Sequence, residues 1–223
     1  MAWNDFRDQT LDERLNIGFE GLKNRWPSAN AVVTDKALSI CGHPVMERWE
    51  EAYMKDLAEI AAGRGGKVME VGFGLGISAA FVQQYPIDEH VIIEANHEVC
   101  LTAECFAAAA ARPTKVIFGF WEDIAPDLAE SSFSGILFDT YPLDAGEVHR
   151  NHFAFFRQAY RLLRSGGVLT YYSDEPAELS PQHLDCLRAA GFRDISSRLC
   201  RIDPPEDCKY WKVKTILSPI IVK

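Results

Sequence analysis

No two of the six cysteines form a CxxC pair, and none falls at the spacing of a zinc site. Cys41, Cys100, Cys105, Cys186, Cys200 and Cys208 therefore read as reduced thiols of a cytosolic protein. The chain has no apolar run of about 18 residues, which leaves no candidate membrane span. Its first stretch, MAWNDFRDQTLDERLN, is charged and lacks the apolar core of a signal peptide. Positive charge is also in short supply: 23 Lys and Arg stand against 32 Asp and Glu, a net charge of −9. That balance argues against a nucleic-acid or anionic-membrane surface and is compatible with a small cationic substrate. His149 and His152 stand at i, i+3 without a nearby third ligand, so no metal is expected.

What is present is ordinary for a globular protein. The 223 residues are 48% apolar and 25% charged, enough for one domain whose core needs neither disulfide nor metal. Residues 1–43 are of mixed polarity, with aromatics at Trp3, Phe6, Phe19 and Trp26, and read as an N-terminal arm or lid with a helix near 10–24. Residues 44–223 form the main domain. Helical spacing runs through VMERWEEAYMKDLAEIAA at 45–62, where Val45, Met46, Trp49, Tyr53, Leu57, Ile60 and Ala61 share a face, and GRGG ends it. Apolar strands KVMEV, HVIIEAN, KVIFGF, SGILFDTYP and VLTYYS then alternate with helical stretches. Two last strand-like runs have no helix between them. The fold class is therefore α/β: a doubly wound, mostly parallel seven-stranded sheet with an antiparallel C-terminal hairpin.

VMEVGFGLG, at 68–76, enters as a strand, turns on Gly72, Gly74 and Gly76, and leaves as a helix. Glycine permits a sharp bend and close approach of a ligand. A dinucleotide fingerprint would place its third glycine at 77, where Ile77 stands. The GxGxG spacing, with Leu75 between the last two glycines, disfavours a nicotinamide dehydrogenase. It is the pattern expected for an S-adenosylmethionine site, in which Glu70 ahead of the loop suits a cationic amino-acid end. A purely structural tight turn is the alternative. Glu94 closes the next strand 22 residues after Gly72 and, with Ala95 beside it, is placed to accept both ribose hydroxyls. Taken alone, Glu94 would read as surface charge. Trp121 and Glu122, after the third strand, can hold an adenine ring and its amino group.

Asp139 ends the fourth strand, in ILFDTYPL. A helix cap would be the ordinary role for such a residue, but Pro142 and the loop to Val148 put the next helix downstream. The stretches GHPVMERWEEAYM, KVMEVGFG, PIDEHVIIEAN, FWEDIAPDL, FSGILFDTYPL, RLLRSGGVLTYY and PPEDCKYW resemble the guanidinoacetate N-methyltransferase family, in order and with similar spacing from about residue 38 onward. The resemblance implies a Rossmann-like class I methyltransferase that methylates a guanidino nitrogen with S-adenosylmethionine. It also implies that Glu50 and Asp139 grip the guanidinium, with Tyr141 nearby. Cofactor contacts would fall on Met46, Met54, the loop from Gly72, Glu94, Trp121 and Glu122. The implied partner is a small guanidino compound. Monomer and homodimer both stay open, as does a non-catalytic protein that kept the cofactor fold.

The chain departs from the family after the fifth strand, where Tyr172-Ser173-Asp174-Glu175-Pro176 replaces a longer segment that binds a substrate carboxylate. Ser173 and Asp174 are substrate-binding candidates here. If Asp174 or Glu175 faces the site, it repels a carboxylate and favours an amine, as in agmatine or arginine. Alternatively both face water while the backbone still binds a carboxylate.

Overall fold

The structure is a computed structural model that describes residues 17–223. Of the helix expected near 10–24, the first part lies outside the described residues; within them only a single turn, α1 (Leu22–Arg25), is helical. A three-stranded antiparallel sheet follows: β1 (Ala31–Val33), β2 (Ala37–Ile40) and β3 (His43–Glu47). The β2–β3 turn is Cys41-Gly42, both at positive φ (53° and 82°), the geometry of a two-residue hairpin.

The helix expected from Val45 begins later. Val45 and Met46 lie in β3, paired to β2, and α2 runs over Glu51–Ala62. The reason lies at Glu47 and Glu50, which form a reciprocal capping box around a 3₁₀ turn and so start the helical path there. The buried face of α2, with Tyr53, Met54, Leu57, Ala58 and Ala61, fits the spacing read from the sequence.

Beyond α2 the chain alternates: β4 (Gly66–Val71), α3 (Ile77–Val82), β5 (Ile87–Glu94), α4 (His97–Ala109), β6 (Thr114–Phe118), α5 (Trp121–Ile124), β7 (Phe133–Phe138), α6 (Asn151–Leu162), β8 (Leu163–Tyr171), α7 (Pro181–Ala190), β9 (Asp194–Arg201) and β10 (Thr215–Val222). The large sheet has the order β6-β5-β4-β7-β8-β10-β9, and β10 alone runs against its neighbours. Every residue of β7 is buried, which is why the central strands read as continuous apolar runs. On one face Met54, Leu57 and Ala61 pack against Val68 and Leu137. On the other, Phe155, Phe156 and Leu162 pack against Met69, Ile136 and Phe138. A third cluster joins Phe19, Leu22, Trp26, Leu38 and Ile40 of the N-terminal segment to Phe73, Ile92 and Val99.

One seam in the sheet is loose. β10 pairs with β9 over eight residues but with β8 only at Ile221 and Val222. Pro219 has no N–H to give. Above it the Tyr53 hydroxyl fills the gap, donating to the Leu217 carbonyl (2.7 Å) and accepting the Ser173 amide (3.2 Å).

Candidate active site

The strand order reverses between β5 and β7 on either side of β4, and ligands of such sheets bind outside the strand ends at that point. A cavity of about 300 Å³ opens there. Gly72, Glu94 and Asp139, each one step past or at the end of its strand, form part of its wall, and Trp26, Leu38 and Met46 close it from the N-terminal side.

Two glycines explain the tightness of the loop. Gly72 has φ +90°, and a Cβ there would lie 2.0 Å from the Asp139 carbonyl oxygen. Gly74 has φ +55°, and its Cβ would meet the Met46 sulfur at 2.9 Å. Both face the cavity; Leu75 and Gly76 are outside its lining. The Leu75 amide donates to Met46 Sδ at 3.3 Å, and Gly76 is the N-cap of α3. Met54, expected at the cofactor, is wholly buried in the core instead. Glu70 also stands apart from the lining. It is fully buried, accepts from Ser78 Oγ, and lies 2.9 Å from His90 Nε2, so it braces the loop from beneath rather than facing a ligand.

Glu94 is held by backbone amides, Phe73 N to Oε2 (2.9 Å) and Asn96 N to Oε1 (2.7 Å), with the Ala95 and Gly74 amides also favouring its charged form. Burial raises its pKa above the usual carboxylate value. Ala95 and Trp121 line the same end of the cavity, and the Trp121 ring is fixed edge-on by Phe138 and Phe155. Glu122 lines it as well, but its Oε1 accepts from Lys23 Nζ (2.7 Å), which ties it to the N-terminal segment. Glycine cradle, anchored acid and aromatic wall together fit a nucleoside.

At the other end stand Glu50 and Asp139. Glu50 is only 3% exposed, and both its donors, Tyr210 Oη (2.5 Å) and Glu47 N (2.8 Å), bind Oε1. Oε2 is left for a ligand. The Asp139 carboxylate receives no hydrogen bond among the described residues; its backbone N–H donates to Val71 O at 2.9 Å and fixes its position. Burial pushes Glu50 up to about 8, with the Asp139 charge adding to it. Burial also pushes Asp139 up to about 7, helped by the Glu70 and Asp174 charges. Two desolvated carboxylates with no ion-pair partner among the described residues describe a site suited to a cation.

The same shifts make stability depend on pH. Both groups keep their protons in the fold well above the ordinary carboxylate range, so the folded state binds more protons than the unfolded chain between about pH 4.5 and 8. This contribution is complete below the unfolded pKa and is lost as pH rises through 7 to 8. The urea midpoint of the ligand-free protein is therefore expected to fall from pH 5 to pH 8. A midpoint that rises over that range would contradict the raised pKa of the two acids.

Tyr141 lines the cavity, stacked on Trp26 (5.6 Å, 9°) with its hydroxyl 3.1 Å from His43 Nδ1. Asp174 lines it too, whereas Ser173 is buried behind it, donating Oγ–H to Leu217 O at 2.8 Å. Several wall residues, Trp26 and Leu38 among them, were not among the site residues read from the sequence, and two more bear on the site's charges. Tyr210 meets Glu50 across 160 positions, a contact no local pattern announces. His149 lies with Nδ1 3.0 Å from Asp174 Oδ1. Among the described residues no three His, Cys, Asp or Glu side chains cluster around a metal position. None of the helices described is long and apolar enough to cross a membrane.

The strand order and the cavity at the switch point define a Rossmann-like fold of the class I methyltransferase type. Solved structures share it: a spermidine synthase bound to the transition-state analogue AdoDATO (TM-score 0.63, 12% identity, 86% of this chain and 72% of that one) and spermidine synthase from Thermotoga maritima (0.58, 13%, 86% and 71%). The chain itself belongs to the guanidinoacetate N-methyltransferase family, whose model matches residues 16–223. Curated relatives include protein arginine N-methyltransferase 2 of Aspergillus oryzae, 27% identical over 76% of this chain and 41% of that protein. A putative O-methyltransferase of Mycobacterium bovis is 30% identical over 52% of this chain and 50% of its own length. The chain thus spans half or less of the length of these relatives.

Proposed function

We propose that this chain transfers a methyl group from S-adenosylmethionine to a nitrogen of a small guanidino compound. Family membership and the methyltransferase relatives support the transfer. The observation that carries the guanidino reading is the convergence of Glu50 Oε2 and the donor-free Asp139 carboxylate on one cavity. When bound, the cofactor supplies a methyl group on a cationic sulfur with a good leaving group. Gly72, Gly74, Glu94, Ala95 and Trp121 would hold it.

The chain's own work lies at the guanidinium. That ion is planar, rich in donors and, when fully delocalised, has no lone pair to attack with. Two carboxylates gripping it favour one resonance form and leave electron density on the remaining nitrogen. Glu50, locked by Tyr210 and the Glu47 amide, orients the plane. Asp139 takes the N–H proton as the new C–N bond forms and releases it to solvent afterwards. Alignment of this kind can supply on the order of 7–11 kcal/mol of the barrier.

The test is direct. Purified protein with S-adenosylmethionine and a panel of guanidines should yield a product one methyl heavier, together with S-adenosylhomocysteine. A protein that binds S-adenosylhomocysteine yet leaves every guanidine unchanged would be a cofactor-binding scaffold instead. Because a cation requires both acids ionised, kcat/KM is expected to rise through about pH 7 to 8 and then level. The Tyr210 hydroxyl lowers the Glu50 pKa. Tyr210→Phe should therefore move the rise to higher pH; an unmoved profile would remove Tyr210 from the site's electrostatics.

A further inference from the structure

A third carboxylate beside the acid pair bears on what else the substrate carries: the Asp174 charge acts on Asp139. Asp174 lines the cavity, in a left-handed conformation (φ 56°) that breaks the strand path after β8. Glu175 is not in the lining. It is buried, with Oε1 3.6 Å from His183 Nδ1 and in reach of the Ser180 amide (3.4 Å). The peptide N–H groups flanking Asp174 are spoken for: Ser173 N donates to the Tyr53 hydroxyl (3.2 Å) and Glu175 N to Ser173 Oγ (3.2 Å). An anion arriving here thus meets a carboxylate and two amides already engaged inside the protein. Among the described residues Lys23 is the only lysine lining the cavity and is bonded to Glu122, and no arginine lines it. His149, with Nδ1 3.0 Å from Asp174 Oδ1, already faces that acid.

We infer that Asp174 selects guanidines whose far end is cationic, a guanidino-alkyl ammonium compound rather than a guanidino acid. The inference rests on the guanidino reading above and refines it: the acid pair takes the guanidinium and Asp174 takes the second positive charge. Asp174 is thus a specificity residue that binds substrate without touching the reacting atoms, and its effect falls mainly on KM.

The experiment uses the full chain, S-adenosylmethionine and a matched four-carbon series that differs only in its tail: agmatine (ammonium), butylguanidine (neutral) and 4-guanidinobutyrate (carboxylate), with guanidinoacetate alongside. The expected order of kcat/KM is ammonium over neutral over carboxylate, with at least about tenfold between the extremes, as a charge-assisted hydrogen bond warrants. Asp174→Asn should collapse the ammonium preference by about tenfold. Asn tolerates left-handed φ, so the turn is preserved, and the wild-type series stands without the variant. In His149→Gln the ammonium preference should persist. A preference for the carboxylate tail in the wild type, especially one that His149→Gln abolishes, overturns the inference. So do tail preferences that Asp174→Asn leaves unchanged. In either case the guanidino reading survives. If no guanidine is methylated by protein that binds S-adenosylhomocysteine, that reading falls and the inference with it.

Discussion

Asp139→Asn is expected to lower kcat at least about a thousandfold, which combines the loss of a proton acceptor with the loss of one of two guanidinium grips. The change is nearly isosteric. The backbone bond from Asp139 N to Val71 O is untouched, and Gly72 still packs on the same carbonyl. An amide, however, neither accepts the departing proton at neutral pH nor attracts the cation, and its NH₂ group opposes the guanidinium donors. Affinity for S-adenosylhomocysteine should stay within a small factor of wild type, because Glu94 and the glycine loop are separate from this group. Kinetics paired with a calorimetric titration reads both quantities. A variant with near-normal turnover would remove Asp139 as the base. One that loses cofactor and turnover together would show that the two halves of the cavity are not independent.

The second large effect belongs to Gly72→Ala. A methyl group at φ +90° is strained wherever it sits, and here it would drive into a backbone oxygen that has no rotamer to escape by. Strain and overpacking together predict a loss of about 2–5 kcal/mol. Gly74→Ala is the control. Its methyl would press on the end of a flexible methionine, so the fold should survive at a cost of about 1–2 kcal/mol. Urea midpoints of the two variants compare them directly. Equal midpoints would mean that the contact between the end of β4 and Asp139 does not constrain the site.

The sheet was legible because its strands are short, apolar and punctuated by glycine, and because strand ends in such sheets gather ligand residues. Gly72, Glu94, Trp121 and Asp139 could be placed on one rim from that rule alone. The N-terminal sheet was not legible. Its turn is Cys41-Gly42 rather than a common hairpin pair, and Val45 and Met46 happen to continue the apolar stripe of α2, so a strand read as the start of a helix. Met54 and Glu70 carried over as ligands from motif position, but position along a motif does not say which way a side chain points: one faces the core and the other a buried serine and histidine. Tyr210 was out of reach for another reason, since its partner is set by how a long loop folds back rather than by any local period.

That loop gives the loose seam in the sheet a further significance. The strands β9 and β10 cling to each other along their length, but β10 meets β8 over a short register at Ile221 and Val222, extended by the Lys223 backbone to Gly166 and Gly167 and, further up, by Leu217 N to Glu175 O and the hydroxyls of Tyr53 and Ser173 to Leu217 O. The segment between them carries Tyr210 to Glu50. If the edge pair breathes as a unit, the tyrosine leaves with it and the acid loses a donor that favours its ionised form. The ionisation of Glu50 should then fall as deuterium uptake at residues 215–222 rises, so that the stiffness of an outer strand pair sets how often the buried acid is ready to receive a cation.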